Sequence, residues 1–201
     1  AHDPILFIKP RSTRAPDAFY RASRFGELWV GRRYTTEDAN KRYQIESRNV
    51  AELEEFLKDK KPAVLIRGVD PKVDSLVQSN DKDGDLVIFT SEHRLIKDEY
   101  EVDQLQQAVD ATARGFDDII KILQKATGHE RGERIVEGAF YARARAEGND
   151  LGYNTIAAAG AHACVLHWVR NDGRVKNGEL ILIDAGIEMD SYYTADITRT
   201  L

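Results

Sequence analysis

Two aspartates stand where a strand would normally hold apolar residues. In LILIDAGIEMDSYYTADITRT (180–200), Asp184 follows four apolar residues and Asp196 comes twelve positions later. If ELILIDAG (179–186) and SYYTADITRT (191–200) form a hairpin with Met189–Asp190–Ser191 as its connection, Asp184 directly faces Asp196. Directly opposed residues share a face, with Cβ atoms about 4.5–5.5 Å apart. Two carboxylates at about 4 Å repel by roughly 4 kcal/mol at an effective dielectric of 20. The neighbours of Asp184 are apolar or small, so dry surroundings are expected. A shared proton, a pairing with Arg199, or a divalent cation would each offset the repulsion. All-oxygen ligands suit hard ions such as Mg²⁺ and Mn²⁺. Two such ions about 3.5–4 Å apart make a hydrolytic centre with an activated water. A local alternative stands beside this one. Asp196 could bond the hydroxyls of Thr194 and Thr198, while Asp184 opens a turn before Gly186. Spacing alone leaves both open. Two ligands also fall short of the three or more a catalytic metal takes from the protein.

His167 ends the apolar run ACVLHW (163–168), a position suited to a site residue or to a satisfied structural histidine. His162 sits in a small-residue turn and reads as exposed; His2, His93 and His129 carry no site assignment. The one cysteine, Cys164, reads as a buried small hydrophobe. Early basic residues (Lys9, Arg11, Arg14, Arg21, Arg24, Arg32, Arg33) are interleaved with Phe19, Tyr20, Phe25 and Trp29. The aromatic spacing is that of a core, so the cations read as a solvated face or a subunit contact, not a nucleic-acid footprint.

These candidates need elements to position them. Strands are expected at 5–9, 27–33, 63–68 and 85–90, alternating with helices at 18–26, 35–43 and 50–59. After about residue 95 the pattern changes. Apolar or small residues at 102, 105, 108, 109, 112, 116, 119, 120 and 123 describe a long amphipathic helix. A second helix is read over 132–148, and short strands over 155–160, 163–168, 179–186 and 191–200, with a loop at 173–179. The expected fold class is therefore α/β (α+β), with a domain boundary near residue 95. The chain has 201 residues, 42% hydrophobic and 31% charged, with a net charge of −5. This suits a globular protein of one or two domains and gives no general case for nucleic-acid binding. No run of about 18 apolar residues is present, so no membrane span is expected. A single cysteine suits a reducing, cytoplasmic setting. Strand-like segments almost reach both ends, so a chain incomplete at both ends is expected.

Four stretches, in order, resemble the aminopeptidase P branch of the pita-bread metallopeptidases. They are ILFIKPR with LWVGRR, EHRLIKDEYEVDQLQQAVDATARGF (92–116), LGYNTIAAAGAHACVLHWVRNDG (151–173), and the aspartate segment. The resemblance implies that residues 1–95 are the later part of an N-terminal α/β domain. It makes 96–201 the first half of a pita-bread catalytic domain. It implies that Asp184 and Asp196 are metal ligands of a dinuclear site, that His167 lies beside the metals and contacts substrate, and that Thr198 supports a ligand. It implies two divalent ions, manganese being usual. The reaction implied is hydrolysis of the N-terminal residue from a peptide with proline in second position, by a metal-activated water. A dimer or tetramer is implied too. The family's remaining ligands, a histidine and two glutamates, lie downstream of the matched segment. The chain alone is thus expected to hold metal weakly and to lack turnover. The family commonly separates the aspartates by eleven residues, not twelve. A prolidase acting on Xaa-Pro dipeptides, and a non-catalytic pita-bread binding homologue, are the alternatives.

Overall fold

The computed structural model describes residues 3–11, 26–58 and 64–201. The helix read over 18–26 lies outside the described residues except for Gly26. Residues 1–94 and 95–201 form two compact units.

In the first unit, β1 (Ile5–Ile8) pairs in parallel with β2 (Glu46–Asn49), Ile5 opposite Glu46. The β2 sequence ESRN has no apolar alternation, and no strand was expected there. Helix α1 (Glu27–Val30) ends at Gly31 with φ +78°, so the strand expected over 27–33 is not formed. Trp29 is exposed rather than part of a core. Helix α2 (Thr36–Tyr43) opens on a capping box in which Asp38 N donates to Thr35 Oγ1 and Thr35 N to Asp38 Oδ2. Two short helices follow, α3 (Leu53–Lys58) and α4 (Pro71–Leu76).

The strand expected over 85–90 is instead the middle of helix α5 (Asp83–His93). A short apolar run fits either element by periodicity alone, and here the flanks decide. Asp83 and Asp85 occupy the first turn, where negative charge favours a helix. The Asp83 carboxylate accepts Leu65 N (2.9 Å) and Arg67 Nε (2.5 Å), tying the helix start to residues 64–67. Those four residues adopt no regular element, where a strand was expected. Val87, Ile88 and Phe89 stay exposed, so no sheet takes up the run.

The second unit is built on two long helices, α6 (Glu99–Thr127) and α7 (Gly132–Glu147). Helix α6 starts at an Asp98–Glu101 capping box. Its buried face runs through Ala108, Ala111, Thr112, Gly115, Phe116 and Ile119, while Val102, Val109 and Ile120 face outward. The contact line follows small residues because α7 lies close: a Cβ added at Gly115 would stand 2.6 Å from Phe140 Cε2. Ile119, Val136, Phe140, Ile183 and Ile187 form the fully buried centre. Three antiparallel strands pack there in the order β4 (Ile156–Ala159), β5 (Ile181–Ala185), β7 (Ile197–Thr200). A small pair, β3 (Asp150–Leu151) with β6 (Ile187–Glu188), lies alongside in sequence. Thr112 Oγ1 accepts Ile187 N at 3.0 Å, joining α6 to the end of this ribbon.

An ion-pair network ties α6 to α7. Arg143 donates to Asp118 Oδ2 (Nε, 2.7 Å) and to Glu147 Oε1 (Nη1, 2.6 Å), and Arg114 Nε donates to Glu147 Oε2 at 2.8 Å. The Arg143 bond holds the Asp118 carboxyl below its ordinary 3.8, and the Arg114 bond holds Glu147 below its ordinary 4.5. A carboxyl depressed in the folded state binds its proton more readily when unfolded. Its contribution is therefore complete above the ordinary value and is lost as pH falls through the depressed one. Replacing Arg143→Met is expected to lower Tm modestly near pH 7, by about 2–4 °C. The Tm gap to wild type should close as melts are repeated downward from about pH 4. A gap that stays constant to pH 2 would show that these carboxyls are not the cause.

Candidate metal centre

The ribbon that carries the aspartates is a hairpin, with a register two residues away from the expected one. Asp184 stands opposite Thr198 and Ala185 opposite Ile197. Only Ile197–Thr200 of the strand expected over 191–200 is strand. The connection turns on Asp190, Ser191 and Tyr192, closed by Met189 N donating to Tyr193 O (2.8 Å) and Tyr192 N to Met189 O (2.8 Å). Tyr192 takes φ +66°, the left-handed residue that completes a three-residue hairpin loop. The turn therefore sits one residue later than the expected Met189–Asp190–Ser191. Side chains alternate with a period of two, so a two-residue shift keeps every side chain on its face. Asp196 stays on the face of Asp184, diagonal to it rather than opposed. Asp184 is half-buried and Asp196 exposed, so the dry pocket expected around Asp184 is not formed. This face of the sheet is the one turned away from the helices' core, which Ile181, Ile183 and Ala185 fill.

Tyr153 joins the two carboxylates. Its hydroxyl lies 2.5 Å from Asp184 Oδ1 and 2.9 Å from Asp196 Oδ1. Burial first, then the two carboxylates, push the phenol well above the ordinary tyrosine range, so it keeps its proton and donates. Thr198 Oγ1 donates to the other oxygen of Asp184, at 2.5 Å. Thr198 thus serves Asp184, not Asp196 as the local-turn alternative had it. Arg199 stands opposite Ile183, out of phase with Asp184, and its Nη1 donates to the Thr198 carbonyl at 2.8 Å instead of pairing with an aspartate.

The donor chemistry fits a hard divalent cation. Two carboxylate oxygens converge on one hydroxyl, and one O–H proton satisfies only one of them at a time. A cation would satisfy both with the oxygen ligands it prefers. Among the described residues no group of three or more His, Cys, Asp or Glu side chains gathers to hold a metal. Asp184 and Asp196 would offer such an ion two carboxylate ligands.

His167 lies on an irregular segment. The run 163–168 is not a strand: Gly160–Cys164 forms a 3-10 turn, and residues 165–172 adopt no regular ladder. Val165, Leu166 and His167 are exposed, Leu166 by 87%. Cys164, expected to be buried, is exposed at the end of that turn because no strand carries it inward. Among the described residues no hydrogen bond links the His167 ring to the aspartates. His162, expected to be exposed, is half-buried and lies 2.8 Å through Nδ1 from Glu133. Tyr153 and Glu133 were the residues missed. Tyr153 lies three residues before the start of the strand that pairs with Asp184, and that closeness was the available signal. A lone glutamate in an amphipathic helix gives none.

A two-helix unit with this antiparallel sheet and a carboxylate pair on its open face defines a class. Residues 103–201 match the model of metallopeptidase family M24. The relatives it resembles carry a narrower name. It is 47% identical over 204 residues to Xaa-Pro aminopeptidase 1 of Streptomyces coelicolor, spanning 100% of this chain and 41% of that protein. It is 31% identical to Xaa-Pro aminopeptidase of Haemophilus influenzae, spanning 98% of this chain and 44% of that one. The fold is that of Escherichia coli aminopeptidase P: a variant of it in complex with substrate superposes with a TM-score of 0.76 at 23% identity, covering 99% of this chain and 46% of that chain. A zinc-substituted form of the same protein in complex with product gives 0.74 at 23% identity, with the same coverage. The α/β pita-bread fold expected from the four motifs is therefore the fold observed. The chain spans less than half the length of the relatives it matches.

Proposed function

We propose that this chain is part of a longer metal-dependent Xaa-Pro aminopeptidase, the parent enzyme, which removes the N-terminal residue from peptides with proline in second position. Residues 1–95 would be the later part of its N-terminal domain and 96–201 the first half of its catalytic domain. The observation that carries the proposal is the convergence of Asp184 and Asp196 on the Tyr153 hydroxyl. The relatives' shared name supports the substrate class. Asp184 and Asp196 would hold two divalent ions, manganese in our reading. When bound, these supply an activated water and polarise the scissile carbonyl. Tyr153 and Thr198 fix the carboxylate orientations by donating to them. His167, exposed on its loop, would contact the substrate and donate toward the developing oxyanion. Membership of a homodimer or homotetramer and a cytoplasmic location complete the reading. No described helix is long and apolar enough to cross a membrane.

The parent enzyme assayed with manganese should cleave tri- and longer peptides with proline in second position. Preference for Xaa-Pro dipeptides alone would make it a prolidase, and no cleavage with metal bound would make it a binding homologue. The 201-residue chain alone should not turn over such peptides, because it brings two ligands to the centre; robust turnover would overturn that count. Tyr153→Phe removes the donor the two carboxylates share. It is expected to weaken manganese binding to the parent enzyme by about 10–100-fold, the range for loss of a ligand's outer partner. Calorimetry reads this directly, and unchanged affinity would remove Tyr153 from the site.

A further inference from the structure

A buried glutamate away from the carboxylate pair holds the segment that carries His167. Glu133, at the start of α7, is 0% exposed. Its Oε1 accepts Ala159 N (2.9 Å) and His162 Nδ1 (2.8 Å). Its Oε2 accepts Trp168 Nε1 (2.9 Å) and Gly173 N (2.7 Å). Its own backbone N–H donates to Gly173 O at 3.2 Å. Backbone and indole N–H groups only donate, so both oxygens must accept, as the acceptor-only carboxylate does.

The donors bracket His167. Ala159 and His162 precede it; Trp168 and Gly173 follow. The His162 and Trp168 rings stack across the gap, centroids 3.8 Å apart and 23° from parallel. A Cβ at Gly173 would stand 2.6 Å from His162 Cε1 and 2.8 Å from Glu133 Oε2, so that side of the cluster is closed. Asn171 adds a second clamp, accepting Ala157 N (3.0 Å) and donating to Thr155 O (2.8 Å).

Residues 165–172 have no ladder of their own. Their placement therefore rests on these side-chain anchors. Strand β4 begins opposite Asp184, at Ile156, and ends at Ala159, whose N–H Glu133 holds. The glutamate thus references the His167 segment to the sheet that carries the aspartate. None of its donors belongs to Asp184, Asp196, Tyr153 or Thr198.

We propose that Glu133 is a positioning residue: by clamping residues 159–173 it sets where the His167 imidazole stands relative to Asp184 and Asp196. This rests on the peptidase reading above. Glu133 acts through His167 and touches no reacting group.

Two variants of the parent enzyme test it. Glu133→Gln turns an NH₂ group toward groups that only donate. Trp168→Phe removes one donor, keeps a ring against His162, and serves where the glutamine variant fails to fold. A catalytic group displaced by an ångström can cost about 100-fold. Glu133→Gln is accordingly expected to lower kcat by about 10–100-fold, and Trp168→Phe by about 3–10-fold. Manganese affinity should stay within about threefold of wild type, since other groups hold the aspartates. On the 201-residue chain, the His167 ring signals in ¹⁵N NMR should move in both variants, a readout that needs no peptidase activity. A folded Glu133→Gln enzyme with unchanged kcat would overturn the proposal. So would manganese affinity that falls in step with activity, or His167 signals that do not move. If the wild-type parent cleaves no such peptide, the peptidase reading fails, and the His167 signals alone decide the positioning role.

Discussion

Asparagine in place of Asp184 is expected to reduce kcat of the parent enzyme by more than about 100-fold, beyond the cost of losing an outer-sphere partner. The side chain keeps its size, and the Thr198 hydroxyl, now 2.5 Å from Oδ2, can turn to suit an amide. What is lost is charge. A neutral amide removes one of the two formal negative charges that the described residues would bring to bound ions, and it offers a single oxygen. Asp196→Asn should behave alike. In both variants manganese binding should fall along with activity while Tm without metal stays level or rises. The rise has a physical cause, since two carboxylates then no longer compete for one Tyr153 proton. Full activity with either asparagine would refute the assignment. Loss of activity with unchanged metal content would move that aspartate from ligand to some other task.

Gly186→Ala is the second change of large effect, and it acts through the backbone. A Cβ at Gly186 would lie 1.6 Å from the Ala195 carbonyl oxygen, 2.6 Å from its carbon and 3.1 Å from Tyr153 Cε1. The first two atoms are main chain and cannot swing away, so the two arms of the hairpin must separate. Overpacking costs about 1–3 kcal/mol where side chains can adjust. A main-chain clash belongs at or above the top of that range, a loss of about 6–12 °C in Tm. The displaced groups are those of the site: Ala195 immediately precedes Asp196, and Tyr153 holds both carboxylates. Metal affinity should therefore fall with stability. Gly138→Ala is the matched control. It lies exposed in α7 with nothing within 4 Å of an added Cβ. It should be neutral or gain up to about 1 kcal/mol from helix propensity. Equal melts for Gly186→Ala and wild type would contradict the tight ribbon described here.

Legibility in the sequence followed the kind of force that shapes each segment. Helices α6 and α7 could be read because burial of a face repeats with the helical period, although the exact stripe could not. Close approach at Gly115 draws the contact line through Ala111 and Gly115, and a search for large apolar residues passes over those positions. The apolar runs at 85–90 and 163–168 were misread for opposite reasons. The first is a helix whose start is fixed by Asp83, eighteen residues from its partner Leu65. The second is irregular chain held by Glu133 and Asn171, so its hydrophobicity reports neither a ladder nor burial. Strand β2 is polar and pairs along its backbone, which leaves no periodic trace. In the site, the aspartates were legible because carboxylates in a strand demand an explanation. Their closeness survived a wrong register because a shift of two preserves the face. Tyr153 and Glu133 were not legible, since each acts over more than twenty residues of separation through one hydroxyl or one carboxylate.

The claim that Asp184 and Asp196 form part of a metal centre is tested most directly by manganese calorimetry on the 201-residue chain, wild type beside the Asp184→Asn, Asp196→Asn double variant. Weak binding that disappears in the double variant is the expected result. Manganese bound equally well by both proteins would contradict it.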